Sequence, residues 1–64
     1  MRVLEDRLFC RENNVDMHYL EVAGDSTEVV NLPTVGVVDG SYFLATDTAE
    51  VYFFNENSRE WKVA

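Results

Sequence analysis

The chain has few of the residues that cross-link or rigidify small proteins or give them reactive groups: it has one cysteine, one proline and one histidine among its 64 residues. Because Cys10 is alone, no intramolecular disulfide can form, and a thiolate metal site would have a single sulfur. This usage favours a reducing compartment. His18 lies in a strand-like run, where an ordinary surface imidazole is favoured over a functional one. A pair of Cys10 and His18 is disfavoured, since the expected strand points them to opposite faces.

Basic side chains are also scarce, with 5 Lys and Arg against 12 Asp and Glu, for a net charge of −7. Nucleic-acid binding draws on clustered Lys and Arg, so this balance argues against a nucleic-acid partner. A solvated acidic exterior is the favoured interpretation, and the same charge suits a basic protein surface.

Long apolar runs are absent as well. No stretch approaches the length of a membrane-spanning helix, and MRVLEDRLFC carries acidic residues where a signal peptide would be apolar. We therefore expect synthesis in the cytoplasm and no membrane partner. The length leaves room for one domain, residues 1–64, which buries about 60% of its extended surface. With 47% hydrophobic residues the chain should fold, and an oligomer or docked state would add burial.

Recognisable catalytic chemistry is missing too. No nucleophile, base or metal cluster stands at a readable spacing, so we expect no enzyme, no catalytic residue, no cofactor and no metal. The run from Asn55 to Ser58 offers oxygens to Ca²⁺, but it lacks the spaced carboxylates and the glycine of a calcium loop. A polar hairpin loop is the better interpretation of that run.

What is present is a C-terminal stretch, residues 39–63, with three β-type runs separated by turn residues. It predicts a three-stranded meander. A three-residue loop at residues 47–49, with Ala49 left-handed, pairs Phe43 with Phe53. A five-residue loop at residues 55–59 pairs Phe53 with Trp61. One face is then an apolar core made of Phe43, Ala45, Val51, Phe53, Trp61 and Val63, with residues 55–59 exposed.

The opposite face is half apolar and half polar, and comprises Tyr42, Leu44, Thr46, Glu50, Tyr52, Phe54, Glu60 and Lys62. Its large apolar members either form a second layer under the N-terminal segment or contact a subunit or a sugar. The candidate interaction face is therefore Tyr42, Leu44, Tyr52 and Phe54.

The N-terminal segment, residues 2–22, contains two extended runs around Asn13-Asn14, a dipeptide that tolerates a type I′ turn. The resulting hairpin pairs Arg11 with Asp16, Cys10 with Met17, and Leu8 with Tyr19. Asp6 would then oppose Glu21, which argues against longer pairing. A helix over residues 3–11 is the alternative.

Between the two units, residues 23–28 predict a turn, residues 29–32 a short edge strand, and residues 32–40 a crossing segment with one proline and two glycines. The predicted fold is mostly β: a small antiparallel sandwich or open barrel, made of an N-terminal hairpin and a C-terminal three-stranded meander.

An ordered string of short motifs adds a resemblance. Along about half of the chain, the following motifs occur in order: Leu32-Pro33, Asp39-Gly40-Ser41-Tyr42-Phe43-Leu44, Thr46-Asp47-Thr48, Val51-Tyr52-Phe53-Phe54 and Trp61. The string resembles a pattern, LPTxG…DGSxF…DTGxVYxF…W, of small structural proteins of tailed bacteriophages and of prophages of Gram-positive bacteria. The chain departs from the pattern at Ala49, where glycine is usual.

The resemblance implies a non-enzymatic virion or assembly component, made in the host cytoplasm and acting by self-association or contact with other virion proteins. It supplies no catalytic residues. The alternative is a small carbohydrate-binding module that uses surface aromatics, and it requires Tyr42, Tyr52 and Trp61 to form one exposed strip. An acidic inhibitor that mimics nucleic acid is a third option, based on charge alone.

Overall fold

The computed structural model describes residues 1–64 and contains five strands and one short helix. The strands are β1 (Arg2–Glu12), β2 (Val15–Gly24), β3 (Tyr42–Ala45), β4 (Glu50–Asn55) and β5 (Glu60–Val63). A 3₁₀ helix spans Ser26–Asn31. All five strands form one sheet in the order β1-β2-β3-β4-β5. The mostly-β class is confirmed, as are the N-terminal hairpin and the C-terminal meander.

The N-terminal hairpin turns at Asn13 and Asn14, with φ angles of 52° and 65°. Positive φ at both residues is what a type I′ turn requires, so the turn prediction is confirmed and the alternative helix over residues 3–11 is wrong. The pairs of Arg11 with Asp16 and of Cys10 with Met17 are as expected. Pairing continues as far as Arg2, further than we expected.

Two irregularities in β1 allow its pairing with β2 to extend this far. The register shifts at Leu4 and at Phe9, each an extra residue in β1 that faces no residue of β2. The shift at Phe9 places Leu8 opposite His18 rather than Tyr19. Glu5, not Asp6, then lies opposite Glu21. Bulges of this kind bend and twist a strand, and a sequence pattern with period two does not reveal them.

The hairpin and the meander join edge to edge in one mixed sheet, because β2 and β3 run parallel. Parallel neighbours need a long crossover, and residues 25–41 supply it. The expected edge strand at residues 29–32 is wrong, since this run belongs largely to the 3₁₀ helix. The crossover instead buries Leu32 against one face of the sheet, and Val37, which forms a parallel bridge with His18 of β2, adds its buried side chain to the same core. Because the crossover covers this face of the sheet, the fold needs no second sheet to bury it.

Gly36 fixes the path of the crossover beside β2. It has a φ of 75°, and its carbonyl accepts a hydrogen bond from the backbone N–H of His18 at 2.7 Å. A Cβ atom at this position would lie 2.9 Å from the carbonyl oxygen of Asp16. Only glycine combines this left-handed backbone with so close an approach.

Both meander loops have four residues rather than the expected three and five. Ala45 pairs with Glu50 in the first hairpin, and Asn55 pairs with Glu60 in the second. Long-range bonds explain both lengths. The backbone N–H of Thr46 donates to the carbonyl of Gly24 at 2.8 Å, which ties Thr46 to the end of β2. The backbone N–H of Glu56 donates to the carboxylate of Asp39.

Each predicted loop length is wrong by one residue. The two errors cancel for β5 relative to β3, so β4 is the one strand whose two faces are exchanged relative to our prediction. Phe43 pairs with Tyr52, and Phe54 with Trp61. The expected burial of Phe53 is wrong, because its side chain is 46% exposed on the opposite face. Trp61 is half-buried and donates its indole N–H to the carbonyl of Pro33 at 3.0 Å. The buried cluster consists of Leu20, Val22, Leu32, Val37, Phe43, Ala45 and Phe54.

No helix in the structure is long and apolar enough to cross a membrane.

Ala49 ends the first meander loop with a φ of 59°, so its predicted left-handed conformation is confirmed. This conformation costs a non-glycine residue about 1 kcal/mol, and Ala49→Gly should therefore stabilise the fold by up to about that amount. Chemical denaturation of the two proteins measures the difference. Arg59→Gly is a matched control, because Arg59 ends the second loop at a φ of 55° and should respond in the same direction. A loss of stability in both variants would show that the left-handed backbone of Ala49 and Arg59 is not strained.

Candidate interaction face

The four residues predicted to form an interaction face are divided by the sheet. Tyr42 and Leu44 lie on the face opposite the core, while Phe54 is buried in the core and Tyr52 packs against it. The inversion of β4 explains the division, since it exchanges the two faces of that strand alone. The grouping of the four residues is therefore wrong.

A different set of apolar side chains shares the outer face with Tyr42 and Leu44. We define the aromatic face as Tyr19, Tyr42, Leu44, Val51 and Phe53, which come from β2, β3 and β4. The ring of Tyr42 meets that of Phe53 edge to face, with centroids 6.5 Å apart. This geometry is a favourable one for aromatic pairs. Sequence analysis missed Phe53 through the register error, and placed Tyr19 in the N-terminal hairpin without linking it to Tyr42.

One carboxylate organises the centre of the aromatic face. Glu21 accepts hydrogen bonds from the hydroxyl of Tyr19 at 2.9 Å and from that of Tyr42 at 3.3 Å. The hydrogen bond to Glu21 raises the pKa of Tyr19, and partial burial followed by the charge of Glu21 raises the pKa of Tyr42. Both hydroxyls are therefore held as donors, and the two rings are fixed in position on the sheet. Arg7 from β1 lies over the ring of Tyr19, 5.2 Å from its centroid.

The crossover covers the core face of the sheet, and no segment of the chain covers the aromatic face. Its members are half-buried among themselves, apart from the more exposed Phe53. An uncovered patch of tyrosine and phenylalanine around a carboxylate suits an apolar surface that carries a basic group.

His18 and Cys10 have separate partners. His18 Nδ1 lies 2.8 Å from a carboxylate oxygen of Asp6, and the Cys10 thiol points to Glu12 at 3.9 Å. Partial burial, together with Glu12, raises the pKa of the Cys10 thiol, so the thiol is not activated as a nucleophile. The structure brings no group of three or more His, Cys, Asp or Glu side chains together in a metal-binding arrangement.

A surface cleft of about 350 Å³ lies between the hairpin tip and the second meander loop. Its lining includes Met17, Val35 and Phe54 beside Glu56 and Arg59. The cleft is open and mixes apolar with charged groups of both signs, without convergent polar groups that would define a ligand.

A pair of carboxylates lies where the crossover meets the first meander loop. The backbone N–H and the hydroxyl of Ser26 donate to the two carboxylate oxygens of Asp47, at 2.9 and 2.7 Å. The hydrogen bond from the Ser26 hydroxyl, followed by one to Asp25, lowers the pKa of Asp47 to about 2. The pKa of Asp25 is raised, first through its hydrogen bond with Asp47 and then through the charge of Asp47. Asp25 therefore takes up a proton at a higher pH than Asp47 does.

We expect Asp25→Asn to stabilise the protein at neutral pH. Because the folded pKa of Asp25 is raised, this carboxyl favours folding below its ordinary pKa, and the benefit is lost as pH rises through the folded value. Asparagine keeps a donor to Asp47 at every pH and removes the repulsion. Thermal melts should show a higher midpoint at neutral pH and no gain near the ordinary carboxyl pKa. A midpoint gain that is equal at both pH values would contradict the raised pKa of Asp25.

The carbohydrate alternative required Tyr42, Tyr52 and Trp61 in one exposed strip. Tyr42 lies on the aromatic face, whereas Tyr52 and Trp61 pack against the core on the other face. These three rings cannot stack on one sugar, which weakens that alternative.

Comparison of the chain with protein-family models, with curated proteins and with solved structures finds no match.

Proposed function

We propose that the protein is a non-enzymatic structural or assembly component of a bacteriophage or prophage that acts through protein–protein contacts. The observation that carries this proposal is the aromatic face, an apolar patch which the chain leaves uncovered although it has little apolar surface to spare. Burying one further aromatic side chain is worth about 1.5–3 kcal/mol, which is a large gain for so small a domain.

Charge defines the partner surface. The chain carries a net charge of −7, and Glu21 lies at the centre of the aromatic face between two tyrosine hydroxyls. A surface of another particle protein with apolar side chains around an Arg or Lys would complement this arrangement. Tyrosine and arginine are enriched where such contacts contribute most of the binding energy.

The residues of the phage-like string support the proposal in a second way. Pro33 accepts the indole N–H of Trp61, Asp39 binds the loop at Glu56, and Ser41 accepts from β2. Most motif residues therefore hold the crossover and the meander together, while Tyr42 and Phe53 reach the aromatic face. A pattern that preserves the scaffold together with this face is what a structural protein of a particle would need.

The test uses a lysogen that carries the gene. Particles and assembly intermediates are purified by density gradient, and the chain is quantified in them by mass spectrometry. We expect it at a fixed ratio to a major particle protein, and genes for portal, capsid or tail proteins beside its own gene. The double variant Tyr42→Ser with Phe53→Ser should be lost from the particles. Absence of the wild-type chain from both particles and intermediates would overturn the proposal.

The control is the double variant Val30→Ser with Val35→Ser, which removes apolar side chains that are 86% and 70% exposed outside the sheet. It should remain in the particles at the wild-type ratio. Circular dichroism establishes that both double variants fold, so that loss of incorporation reports on the aromatic face. Equal loss of both variants would assign incorporation to something other than that face.

A further inference from the structure

We propose that β1 pairs edge to edge with β1 of a second copy of the chain, which extends the sheet across a two-fold axis. This inference concerns the isolated chain and does not depend on the proposed virion role. It also uses a different surface, since β1 is an edge of the sheet and the aromatic face spans β2, β3 and β4.

The first observation is the exposed edge. β1 has 11 residues and only β2 as a neighbour, so one side of its backbone has no partner strand. Four of its apolar side chains are between 48% and 70% exposed: Val3, Leu4, Leu8 and Phe9. Natural edge strands are usually short, or are guarded by lysine, proline or bulges. β1 has no lysine or proline, and its two bulges leave a regular stretch between them, from Glu5 to Leu8.

The second observation is the distribution of charge. Three of the five basic residues of the chain, Arg2, Arg7 and Arg11, lie in β1. The same strand holds three acidic residues, so β1 is neutral and the rest of the chain carries the whole charge of −7. Two copies therefore repel each other through most of their surfaces and least through β1. This charge balance selects a second copy as the occupant of the edge.

Symmetry limits the registers that a pairing of two β1 strands can adopt. Antiparallel strands related by a two-fold axis pair one central residue with its own copy, because adjacent pairs alternate in hydrogen bonding. Centring the axis on Asp6 places Leu4 opposite Leu8 of the second copy, and Glu5 opposite Arg7. Each Asp6 carboxylate lies 2.8 Å from Nδ1 of His18 within its own chain. Centring on Arg7 would instead set Asp6 against Leu8 and Glu5 against Phe9.

The Asp6-centred register therefore pairs Leu4 with Leu8 and Glu5 with Arg7, each twice by symmetry, and these pairs outweigh the like charges of the two Asp6 side chains that meet at the axis. This register predicts a result of charge reversal that effects within a single chain cannot produce. Glu5→Arg leaves two basic side chains at each of the two pairs formed by positions 5 and 7, and Arg7→Glu leaves two acidic ones. Each variant alone should weaken dimerisation by at least about tenfold. An equimolar mixture of the two variants restores both opposite-sign pairs.

The experiment is sedimentation velocity of the full chain over a concentration series, at moderate salt that screens the general repulsion. We expect a concentration-dependent dimer for the wild type, monomers for each single variant, and a heterodimer for the mixture. Thermal melts establish that each variant is folded. This check is needed because Arg7 also contacts Glu5 within the chain, at 3.3 Å.

A matched control applies the same charge changes to the other edge of the sheet. Glu60→Arg and Lys62→Glu, both on β5, alter the net charge as the β1 variants do. Each should dimerise like the wild type, and their mixture should show no preference for the heterodimer. A wild-type chain that stays monomeric throughout the series would overturn the proposal. Heterodimers from the β5 pair rather than the β1 pair would also overturn it, by assigning the contact to the wrong edge.

Discussion

Replacing Phe43 with alanine is expected to unfold most of the protein. The ring has no exposed surface and lies at the centre of the buried cluster, where it packs against Val22 of β2 and the ring of Tyr52. Truncating a buried phenylalanine costs about 3–5 kcal/mol. That range approaches the whole stability of a small domain, about 5 kcal/mol. Circular dichroism and urea denaturation of Phe43→Ala would measure the loss.

Phe53→Ala is the matched comparison, because the two rings differ chiefly in the face of the sheet on which they lie. Phe53 is 46% exposed, and its truncation should cost about 1 kcal/mol. The pair of variants therefore tests the register of β4 directly. If Phe53→Ala proved as damaging as Phe43→Ala, the strand would have the inverted register that the sequence pattern predicts, and the aromatic face would be differently composed.

Ser41→Ala should have the second largest effect, through a single hydrogen bond. Ser41 is fully buried, and its hydroxyl accepts the backbone N–H of Leu20 at 3.0 Å across the junction between β2 and the segment before β3. Alanine leaves that N–H buried without a partner, which costs about 1–3 kcal/mol. Denaturant titration gives the loss, and hydrogen exchange should show faster exchange of the Leu20 amide.

Ser58→Ala makes the same chemical change on an exposed loop, where only the backbone N–H of the serine is engaged, by Asn55. It should leave stability within about 0.5 kcal/mol of the wild type. Equal effects of the two serine variants would show that the hydroxyl of Ser41 contributes nothing beyond its small volume.

Local chemistry accounts for the parts of the fold that the sequence predicts. Asn13 and Asn14 tolerate positive φ, so the first turn and its nearest pairs follow from the dipeptide itself. Ala49 was predicted to be left-handed for a different local reason, since the last residue of a short hairpin loop takes that conformation. The hairpin, the meander and the mostly-β class depend on turns of this kind and on alternating apolar residues, both of which can be read within a few residues of sequence.

The failures share a different origin. The meander loops have four residues because Thr46 is bound to Gly24 and Glu56 to Asp39, and these contacts are distant along the chain. The bulges at Leu4 and Phe9 and the parallel pairing of β2 with β3 are likewise consequences of the assembled sheet. Strand faces alternate with period two, so an error of one residue in the predicted first loop exchanges the faces of β4. The prediction therefore assigned Phe53 to the core instead of the aromatic face, and the candidate site was misassigned.

The parallel junction between β2 and β3 also governs how the chain reaches its native state. The hairpin of β1 with β2 and the meander of β3 to β5 each close short loops, which form within microseconds. Joining them requires residues 25–41 to bring two distant segments into register, and the entropy of closing that loop is spent before Ser41 can bond to Leu20. Docking of the two preformed units should therefore limit the folding rate. Residues of the crossover, rather than those of either turn, would then determine how fast the protein folds.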